Sequence, residues 1–216
     1  MTYFIIERPR SLKMTSKQNA LEDVLFQQQK TSRLSRAVFL DRDGTINVER
    51  GYITDPSQIK LYPDTGKTLQ ALNSMGFLTV VISNQSAIGQ GLMTITRFEE
   101  INDALWKLLQ DANTYYDVLY YCPHTPLDKC ECRKPKPGLI LQAALDFNID
   151  LSASYMVGDK LSDIKAGKVC GCKTILVKTG KGKEITVDKP DIHPHPDSIQ
   201  ENLTGVLSWI LNNQST

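Results

Sequence analysis

The sequence predicts one α/β domain in which helices cover both faces of a parallel β-sheet. Five short segments are continuously apolar, which is typical of strands that are buried on both faces. Segments with a helical period lie between these strands, as the crossovers of a parallel sheet require. A chain of 216 residues is long enough to bury one such core, and no internal repeat indicates a second unit.

The domain is predicted to follow a polar amino-terminal stretch. Residues 1–35 end in polar residues such as QQQKTS, so we predict a flexible or weakly helical extension there and a domain over residues 36–216. The predicted strands are AVFL (37–40), FLTVVIS (77–83), VLYYC (118–122), YMVGD (155–159) and KTILVK (173–178). The predicted helices cover residues 64–76, 96–112, 138–148 and 162–171, with a last helix after Ser198.

Capping residues indicate where several of these helices begin and end. The expected start and stop residues are Asp64 and Gly76 for the first helix, Thr96 with Glu99 for the second, Pro137 for the third, and Ser198 with Glu201 for the last. Residues 180–197, between the fifth strand and the last helix, are predicted to form a solvated loop.

Composition narrows the class of function. The net charge of +1 gives no global field that would attract nucleic acid or a membrane surface. No apolar run reaches the length of a membrane span, and Tyr3 to Ile6 are the only consecutive apolar or aromatic residues near the start. We therefore predict a cytoplasmic monomer that acts on a small molecule, without nucleic-acid or membrane partners.

The cysteines predict a metal site. Cys122, His124, Cys130 and Cys132 fall within eleven residues, and three thiolates with one imidazole are typical ligands of tetrahedral zinc. All four ligand positions are filled by protein, so the predicted zinc is structural and holds a short loop. Cys170 and Cys172 lie between an apolar helix and an apolar strand, and we expect small buried residues there.

Polar residues follow the predicted strands, at the sheet edge where ligands bind in open α/β folds. Asp41 and Asp43 follow the first strand, and such a pair suits a division of roles between a nucleophile and a proton donor that later becomes a base. Asp159 follows the fourth strand, and Asp163 lies one helical turn further on, where the alternatives to metal binding are to brace Lys160 or to cap the helix. Carboxylates that converge from two strands suit Mg²⁺, which prefers oxygen ligands.

Two further strand ends carry groups that suit a phosphate. Lys134, between Pro135 and the cysteine loop, supplies a cation, while Ser83 and Asn84 supply a hydroxyl and an amide as donors. Together with the carboxylates, this set favours phosphoryl transfer, because that reaction depends mainly on positioning and charge neutralisation.

These motifs resemble those of a known superfamily. DRDGT, SNQS, the lysine of RKP and GDKLSD are similar to the four motifs of the haloacid dehalogenase (HAD) phosphatases. DRDGTIN, NQSAIGQG, CPHTP…CECRKPKPG and SYMVGDKLSD resemble more closely the D-glycero-D-manno-heptose 1,7-bisphosphate 7-phosphatases. The resemblance covers about Ala37 to Gly180 and implies a Rossmann-like three-layer HAD fold, essentially without a cap domain because the inserts between motifs are short.

The resemblance also implies roles for individual residues. Asp41 is expected to attack phosphorus, Asp43 to transfer the proton, and Ser83 and Lys134 to hold the phosphoryl oxygens. Mg²⁺ is expected on Asp41, on the carbonyl of Asp43 and on Asp159. The implied substrate contacts are Glu49, Arg50, Gly51, Tyr52, Ser83, Asn84, Gln85, Ser86, Arg133, Lys134 and Lys160.

The implied reaction is removal of the 7-phosphate from the sugar bisphosphate, in the synthesis of ADP-heptose or GDP-heptose precursors. Two departures from the family pattern bear on the substrate. Ser83 stands where threonine is frequent, and the stretch between His124 and Cys130 is compact, as in the histidinol-phosphate phosphatases. Histidinol-phosphate phosphatase is therefore an alternative, and a zinc-dependent nucleic-acid-binding module with CRKPK as its basic patch is an alternative of another class.

Overall fold

The computed structural model of the chain describes residues 4–7, 34–185 and 193–213. They form a sheet of seven strands in the order β1-β4-β3-β2-β5-β6-β7. The strands are β1 (Phe4–Glu7), β2 (Ala37–Leu40), β3 (Leu78–Asn84), β4 (Val118–Cys122), β5 (Tyr155–Gly158), β6 (Lys173–Val177) and β7 (Ser198–Gln200). All neighbours pair in parallel except β1, which runs antiparallel to β4 at one edge. The predicted parallel sheet and its five central strands are confirmed.

The helices are α1 (Thr65–Ser74), α2 (Ser86–Gly89), α3 (Ile95–Asp111), α4 (Gly138–Phe147), α5 (Leu161–Val169) and α6 (Leu203–Asn212). Short 3₁₀ turns cover Pro56–Gln58, Pro126–Asp128 and Gly180–Glu184. Within the described ranges, the segments between strands form these covering helices and short loops, and none builds a separate cap over the sheet.

The sheet separates two apolar layers, as the predicted three-layer fold requires. Alternate residues of β2 point to opposite faces, so that Val38 and Leu40 join one layer and Ala37 and Phe39 join the other. Helices α1, α3 and α6 cover the first face, and α4 and α5 cover the second. Both layers consist of fully buried side chains, so burial on two faces explains why these strands are continuously apolar.

Two predicted helix caps are wrong, and a third residue stands at its predicted position without the capping bond. Helix α3 begins two residues early because Thr94, rather than Thr96, accepts a hydrogen bond from the amide of Arg97 at 3.1 Å. Ser198 pairs with β6 as part of β7, so α6 begins later, at the cap residue Asn202. Asp64 precedes α1, but its carboxylate accepts from the amide of Thr204 in α6 instead of capping its own helix.

Two segments that were predicted to lack regular structure contain some. Residues 4–7 of the predicted extension form β1, where Phe4 stacks on Tyr121 with ring centroids 5.3 Å apart. The rest of the extension up to residue 33 lies outside the described residues. The predicted solvated loop over 180–197 opens with a 3₁₀ turn that packs against the strand ends, while residues 186–192 lie outside the described residues.

Membrane-spanning segments were sought among the described helices, and none combines the length and the apolar character that a crossing requires.

Candidate active site

The ends of the central strands bring the predicted functional residues to one edge of the sheet. Leu40 is in register with Val81 of β3 and with Val157 of β5, so Asp41 leaves the sheet between the ends of these two strands. A polar cavity of about 290 Å³ opens there. It is lined by Asp41, Asp43, Glu49, Gly51, Tyr52, Ser83, Asn84, Gln85, Ser86, Arg133, Lys134, Lys160, Ser162 and Asp163.

Asp41 lies at the floor of this cavity as an ionised carboxylate. It is 4% exposed, and its two oxygens lie 2.8 Å from the ammonium of Lys134 and 3.2 Å from that of Lys160. Burial acts to raise the pKa of Asp41, but the two ammonium groups outweigh it and hold that pKa well below its ordinary value. An ionised, fixed carboxylate is what a nucleophile at this position needs.

Asp43 is held in place by hydrogen-bond donors on both oxygens. The guanidinium of Arg42 forms an ion pair with it at 2.8 Å, and the amides of Asn47 and Gln85 each donate to it at 2.8 Å. Its side chain remains 15% exposed towards the cavity. No role was predicted for Arg42 or Asn47, and Gln85 was predicted as a substrate contact.

Lys134 joins two carboxylates. Its ammonium lies 2.8 Å from Asp41 and 2.7 Å from Asp163, and it also donates to the carbonyl of Ile82 at 2.6 Å. Burial acts to lower the pKa of Lys134, but the carboxylates of Asp163 and Asp41 outweigh it and the net pKa is raised. The cation therefore stays charged although its side chain is only 2% exposed.

Asn84 lines the cavity and also bonds to the backbone of Lys134. Its amide nitrogen donates to the carbonyl of Lys134 at 3.0 Å, and its amide oxygen accepts from the amide of Lys134 at 3.0 Å. Asn84 thus fixes the backbone of Lys134, and its second amide hydrogen is not used by these bonds, so its role as a donor to phosphate stays a prediction. Ser83, which accepts from Gln85 at 2.8 Å, keeps its hydroxyl hydrogen for a ligand in the cavity.

The carboxylates of Asp41, Asp159 and Asp163 form a group that could hold a metal ion, with ligand oxygens within 4.8 Å of one another. Burial, together with the nearby Asp41, raises the pKa of Asp159 to about 7. The ammonium of Lys160 lies 2.9 Å from Asp159, 3.2 Å from Asp41 and 3.1 Å from the carbonyl of Asp43. These three oxygens are the ones predicted for Mg²⁺, so the cradle attracts a cation and its donors fit a hard divalent ion.

Asp163 has two contacts that the sequence did not specify. Besides its ion pair with Lys134, it accepts from the backbone amide of Lys160 at 3.0 Å and so caps α5. The capping role was one of two alternatives named for it in place of metal binding.

Close backbone packing completes the floor of the site. Gly44 has φ +93°, and a Cβ on it would overlap the carboxylate of Asp159, so the turn after Asp43 requires glycine. The amide of Lys181 donates to Asp159 at 2.8 Å, and the hydroxyl of Thr179 donates to the carbonyl of Gly44 at 2.5 Å. Neither contact was predicted: Lys181 belongs to the predicted solvated loop over 180–197, and Thr179 directly precedes it.

Among the predicted substrate contacts, Arg50 does not line the cavity, whereas the others do. Its side chain is exposed, because Glu49 turns inward beside Lys160 at 3.4 Å and the next residue points away. Ser162 lines the cavity and was not predicted. It lies in the first turn of α5 next to Asp163, where a short polar side chain carries no distinctive sequence signal.

The four predicted zinc ligands converge in the loop after β4. The sulfur atoms of Cys122, Cys130 and Cys132 lie 3.2 to 3.5 Å apart, and Nδ1 of His124 lies 3.2 Å from the sulfur of Cys132. Four soft donors around one point could hold a metal ion. The next residue, Arg133, donates to the carbonyl of His124 at 3.1 Å, so the loop is tied to the cavity wall.

Comparison with known proteins agrees with this geometry. A HAD-hydrolase-like family model matches residues 131–206. The D-glycero-beta-D-manno-heptose-1,7-bisphosphate 7-phosphatase of Haemophilus ducreyi is 44% identical over 154 residues, which is 68% of this chain and 85% of the relative. The protein of the same name from Escherichia coli K12 is 42% identical over 67% of this chain and 80% of the relative.

A solved structure shows the same similarity in three dimensions. The D,D-heptose 1,7-bisphosphate phosphatase of B. bronchiseptica, crystallised with magnesium and phosphate, superimposes with a TM-score of 0.76 at 29% identity. The match covers 82% of this chain and 98% of that protein. A HAD-like phosphatase from Mesorhizobium loti reaches a TM-score of 0.75 at 26% identity, over 99% of this chain and 95% of the other.

Proposed function

The chain belongs to the D-glycero-beta-D-manno-heptose-1,7-bisphosphate 7-phosphatase family of HAD-like hydrolases, and from this premise we propose how its own residues remove the 7-phosphate of that sugar bisphosphate. The family assignment supports the phosphatase over the alternative of a zinc-dependent nucleic-acid-binding module. One observation carries the mechanism: the ionised Asp41 lies between two ammonium groups, with Asp43 two residues away at the same cavity.

In the first step, a carboxylate oxygen of Asp41 attacks phosphorus and the bond from phosphorus to the sugar oxygen breaks. Asp43 gives its proton to the departing sugar oxygen, which leaves an aspartyl-phosphate on Asp41. Lys134 and the hydroxyl of Ser83 hold the phosphoryl oxygens. Lys134 is suited to this because its charge is fixed by burial between two carboxylates.

In the second step, Asp43 accepts a proton from water, whose oxygen attacks phosphorus. The bond between phosphorus and Asp41 breaks, inorganic phosphate leaves and Asp43 has regained its proton. Asp41, the carbonyl of Asp43 and Asp159 would hold Mg²⁺, which would supply positive charge to offset the phosphoryl oxygens. Glu49, Tyr52, Arg133 and Lys160 line the outer cavity and are the proposed contacts for the rest of the sugar bisphosphate.

The decisive experiment measures phosphate release from D-glycero-D-manno-heptose 1,7-bisphosphate and from histidinol phosphate, each with Mg²⁺ and with EDTA. We expect release from the heptose substrate with Mg²⁺ only, and a preference for histidinol phosphate would reassign the substrate. Asp41→Asn is the matched variant, because it keeps the shape of the side chain and removes the nucleophile. Full turnover by Asp41→Asn would reassign that role.

We infer that the cysteine loop holds zinc and that this zinc is structural. Three thiolates and an imidazole converge, and all four positions come from protein. The hydrogen bond from Arg133 to His124 supports a role in placing Arg133 and Lys134 at the cavity. A thiolate-rich metal site suits a reducing compartment, so the cytoplasm remains our prediction for the location, as does a monomer for the assembly.

A further inference from the structure

Arg42 is a fully buried cation that the proposed mechanism does not use. Its side chain is 0% exposed and does not line the cavity. Nη2 lies 2.8 Å from one oxygen of Asp43, and Nε lies 3.1 and 3.2 Å from the two oxygens. The guanidinium therefore contacts the whole carboxylate edge.

Two residues of helix α3, Asn102 and Phe98, contact Arg42 and fix its position. Its Nη1 donates to the side-chain oxygen of Asn102 at 3.3 Å, and its guanidinium carbon lies 5.0 Å above the ring of Phe98. Asn102 is itself fully buried, and its amide nitrogen donates to the carbonyl of Phe98 at 2.7 Å. A series of contacts thus runs from the backbone of α3 through Asn102 and Arg42 to Asp43.

We propose that Arg42, fixed by Asn102, is a positioning residue for proton transfer by Asp43. The proposal rests on the proposed role of Asp43 as proton donor and base. As the proton leaves for the sugar oxygen, negative charge develops on Asp43, and the guanidinium already stands where it stabilises that charge. The fork, in which Nε and Nη2 of the guanidinium both contact the carboxylate, also prevents Asp43 from rotating away from the departing oxygen.

Stability alone gives a weaker account of this arrangement. A buried ion pair loses hydration on both sides and is frequently no more stabilising than a well-packed apolar pair. Here the burial is one-sided, because Arg42 is enclosed while Asp43 keeps 15% exposure towards the cavity. The pair therefore delivers its charge to a group that faces the ligand.

The choice of leaving group distinguishes a positioning role of Arg42 from a role in stability alone. A sugar oxygen needs a proton to depart, whereas p-nitrophenolate departs without one, so only the first reaction uses Asp43 as an acid. The ratio kcat/KM reports the steps up to departure of the leaving group. A positioning defect at Asp43 must therefore lower kcat/KM for the sugar bisphosphate much more than kcat/KM for p-nitrophenyl phosphate.

The experiment measures both ratios for Arg42→Met, Arg42→Lys, Asn102→Ala and the double variant Arg42→Met/Asn102→Ala. We expect Arg42→Met to lower kcat/KM on the sugar bisphosphate by roughly 100-fold and on p-nitrophenyl phosphate by less than about threefold. Arg42→Lys keeps the charge without the fork and should fall between. Asn102→Ala should show the same selectivity at roughly tenfold, and the double variant should be no worse than Arg42→Met, because Asn102 acts through Arg42.

Two controls make each outcome decisive. Leu109→Ala removes a buried side chain from the same helix about 10 Å further along, and it should change both ratios equally. Asp43→Asn should show the selective loss in its strongest form; if it does not, the proposed function of Asp43 fails. If Asp43→Asn is selective but the Arg42 and Asn102 variants lower both ratios equally or not at all, only the positioning role is overturned. Should Arg42→Met not fold, Arg42→Lys and Asn102→Ala decide the question.

Discussion

At the scale of single residues, each charged side chain of the site depends on neighbours of opposite charge. Lys134 is buried between Asp41 and Asp163, while Lys160 spans Asp41 and Asp159 at the edge of the cavity. A buried charge that loses its partner keeps its loss of hydration without compensation. Each of these residues therefore supports both the folded state and the reaction, and the two effects can be separated by removing charges in pairs.

Lys134→Met is expected to abolish most of the activity and to lower the free energy of unfolding by about 3 kcal/mol, because two buried carboxylates then repel each other. Lys134→Met/Asp163→Asn removes one of these carboxylates and should regain a large part of the stability without regaining activity. Denaturant unfolding and phosphate release measure the two effects. Equal stability of the single and double variants would contradict the described charge balance.

Residues of the site could be predicted where their charge and their position indicate the chemistry, but not where their role depends on a hydrogen-bond partner. Asp41, Asp43 and Lys134 were predictable because position at a strand end and charge together indicate their chemistry. The two hydrogen bonds of Asn84 with the backbone of Lys134 were not predicted. Amide side chains can bond in either direction, so a sequence without a fold gives no partner for them.

At the scale of elements, the cysteine loop connects strand β4 to the cavity. It has little apolar surface of its own, and the exposed Leu127 at its tip is 89% accessible. The proposed metal therefore stabilises the loop in place of a hydrophobic core. The hydrogen bond from Arg133 to the carbonyl of His124 fixes the position of Arg133. The spacing of the ligands predicted the site, whereas the hydrogen bond to Arg133 required the folded loop.

Cys130→Ala is expected to lose zinc and to lower kcat/KM by roughly 10- to 100-fold, because the loop then no longer places Arg133 and Lys134. Metal analysis and steady-state kinetics on the same sample provide the measurement. Cys170→Ala, a cysteine outside the loop, is the matched control and should keep both zinc and activity. Zinc-free protein with unchanged kcat and KM would refute the positioning role.

A second element-scale device attaches strand β7 to β6. The carboxylate of Asp197 accepts from the amide and hydroxyl of Thr174 at 2.7 and 2.9 Å and pairs with Lys168 at 2.6 Å. Burial acts to raise the pKa of Asp197, but hydrogen bonds from Lys168 and Thr174 outweigh it and the net pKa lies below the ordinary 3.8. A lowered pKa contributes stability above pH 3.8, and this contribution is lost as the pH falls through the folded-state value.

Asp197→Ala is accordingly expected to cost roughly 1 kcal/mol at neutral pH, since the ion pair is partly screened by water and the two bonds from Thr174 are lost. The difference from the unchanged protein should shrink as the pH falls below 3.8. Thermal unfolding across pH measures it. Glu201→Gln breaks the exposed pair with Lys178 nearby and should have almost no effect. A pH-independent deficit for Asp197→Ala would rule out the carboxylate as its cause.

At the scale of the whole molecule, the edge of the sheet beside β4 is closed by the start of the chain. Strand β1 pairs with β4 from Phe4 opposite Tyr121 to Glu7 opposite Val118, and β4 leads directly into the first cysteine of the metal loop. The short run from Phe4 to Glu7 did not predict this strand, because its pairing depends on the edge of β4, which lies far along the chain. An unpaired β4 would present free backbone groups to other chains.

A chain that begins at Met14 lacks β1 and tests this closure. We expect its Tm to fall by several degrees and its aggregation on heating to increase, because the β4 edge and the ring of Tyr121 become exposed. Turnover per folded molecule should persist, since the cavity residues lie from Asp41 onward. Phe4→Ala and Ile5→Ala form a matched pair within β1: Phe4 packs on the core, whereas Ile5 is 40% exposed, so only the first should reproduce part of the loss. Equal Tm values for the shortened and complete chains would show that β1 does not protect the sheet edge, and the domain would then be independent of its amino-terminal strand.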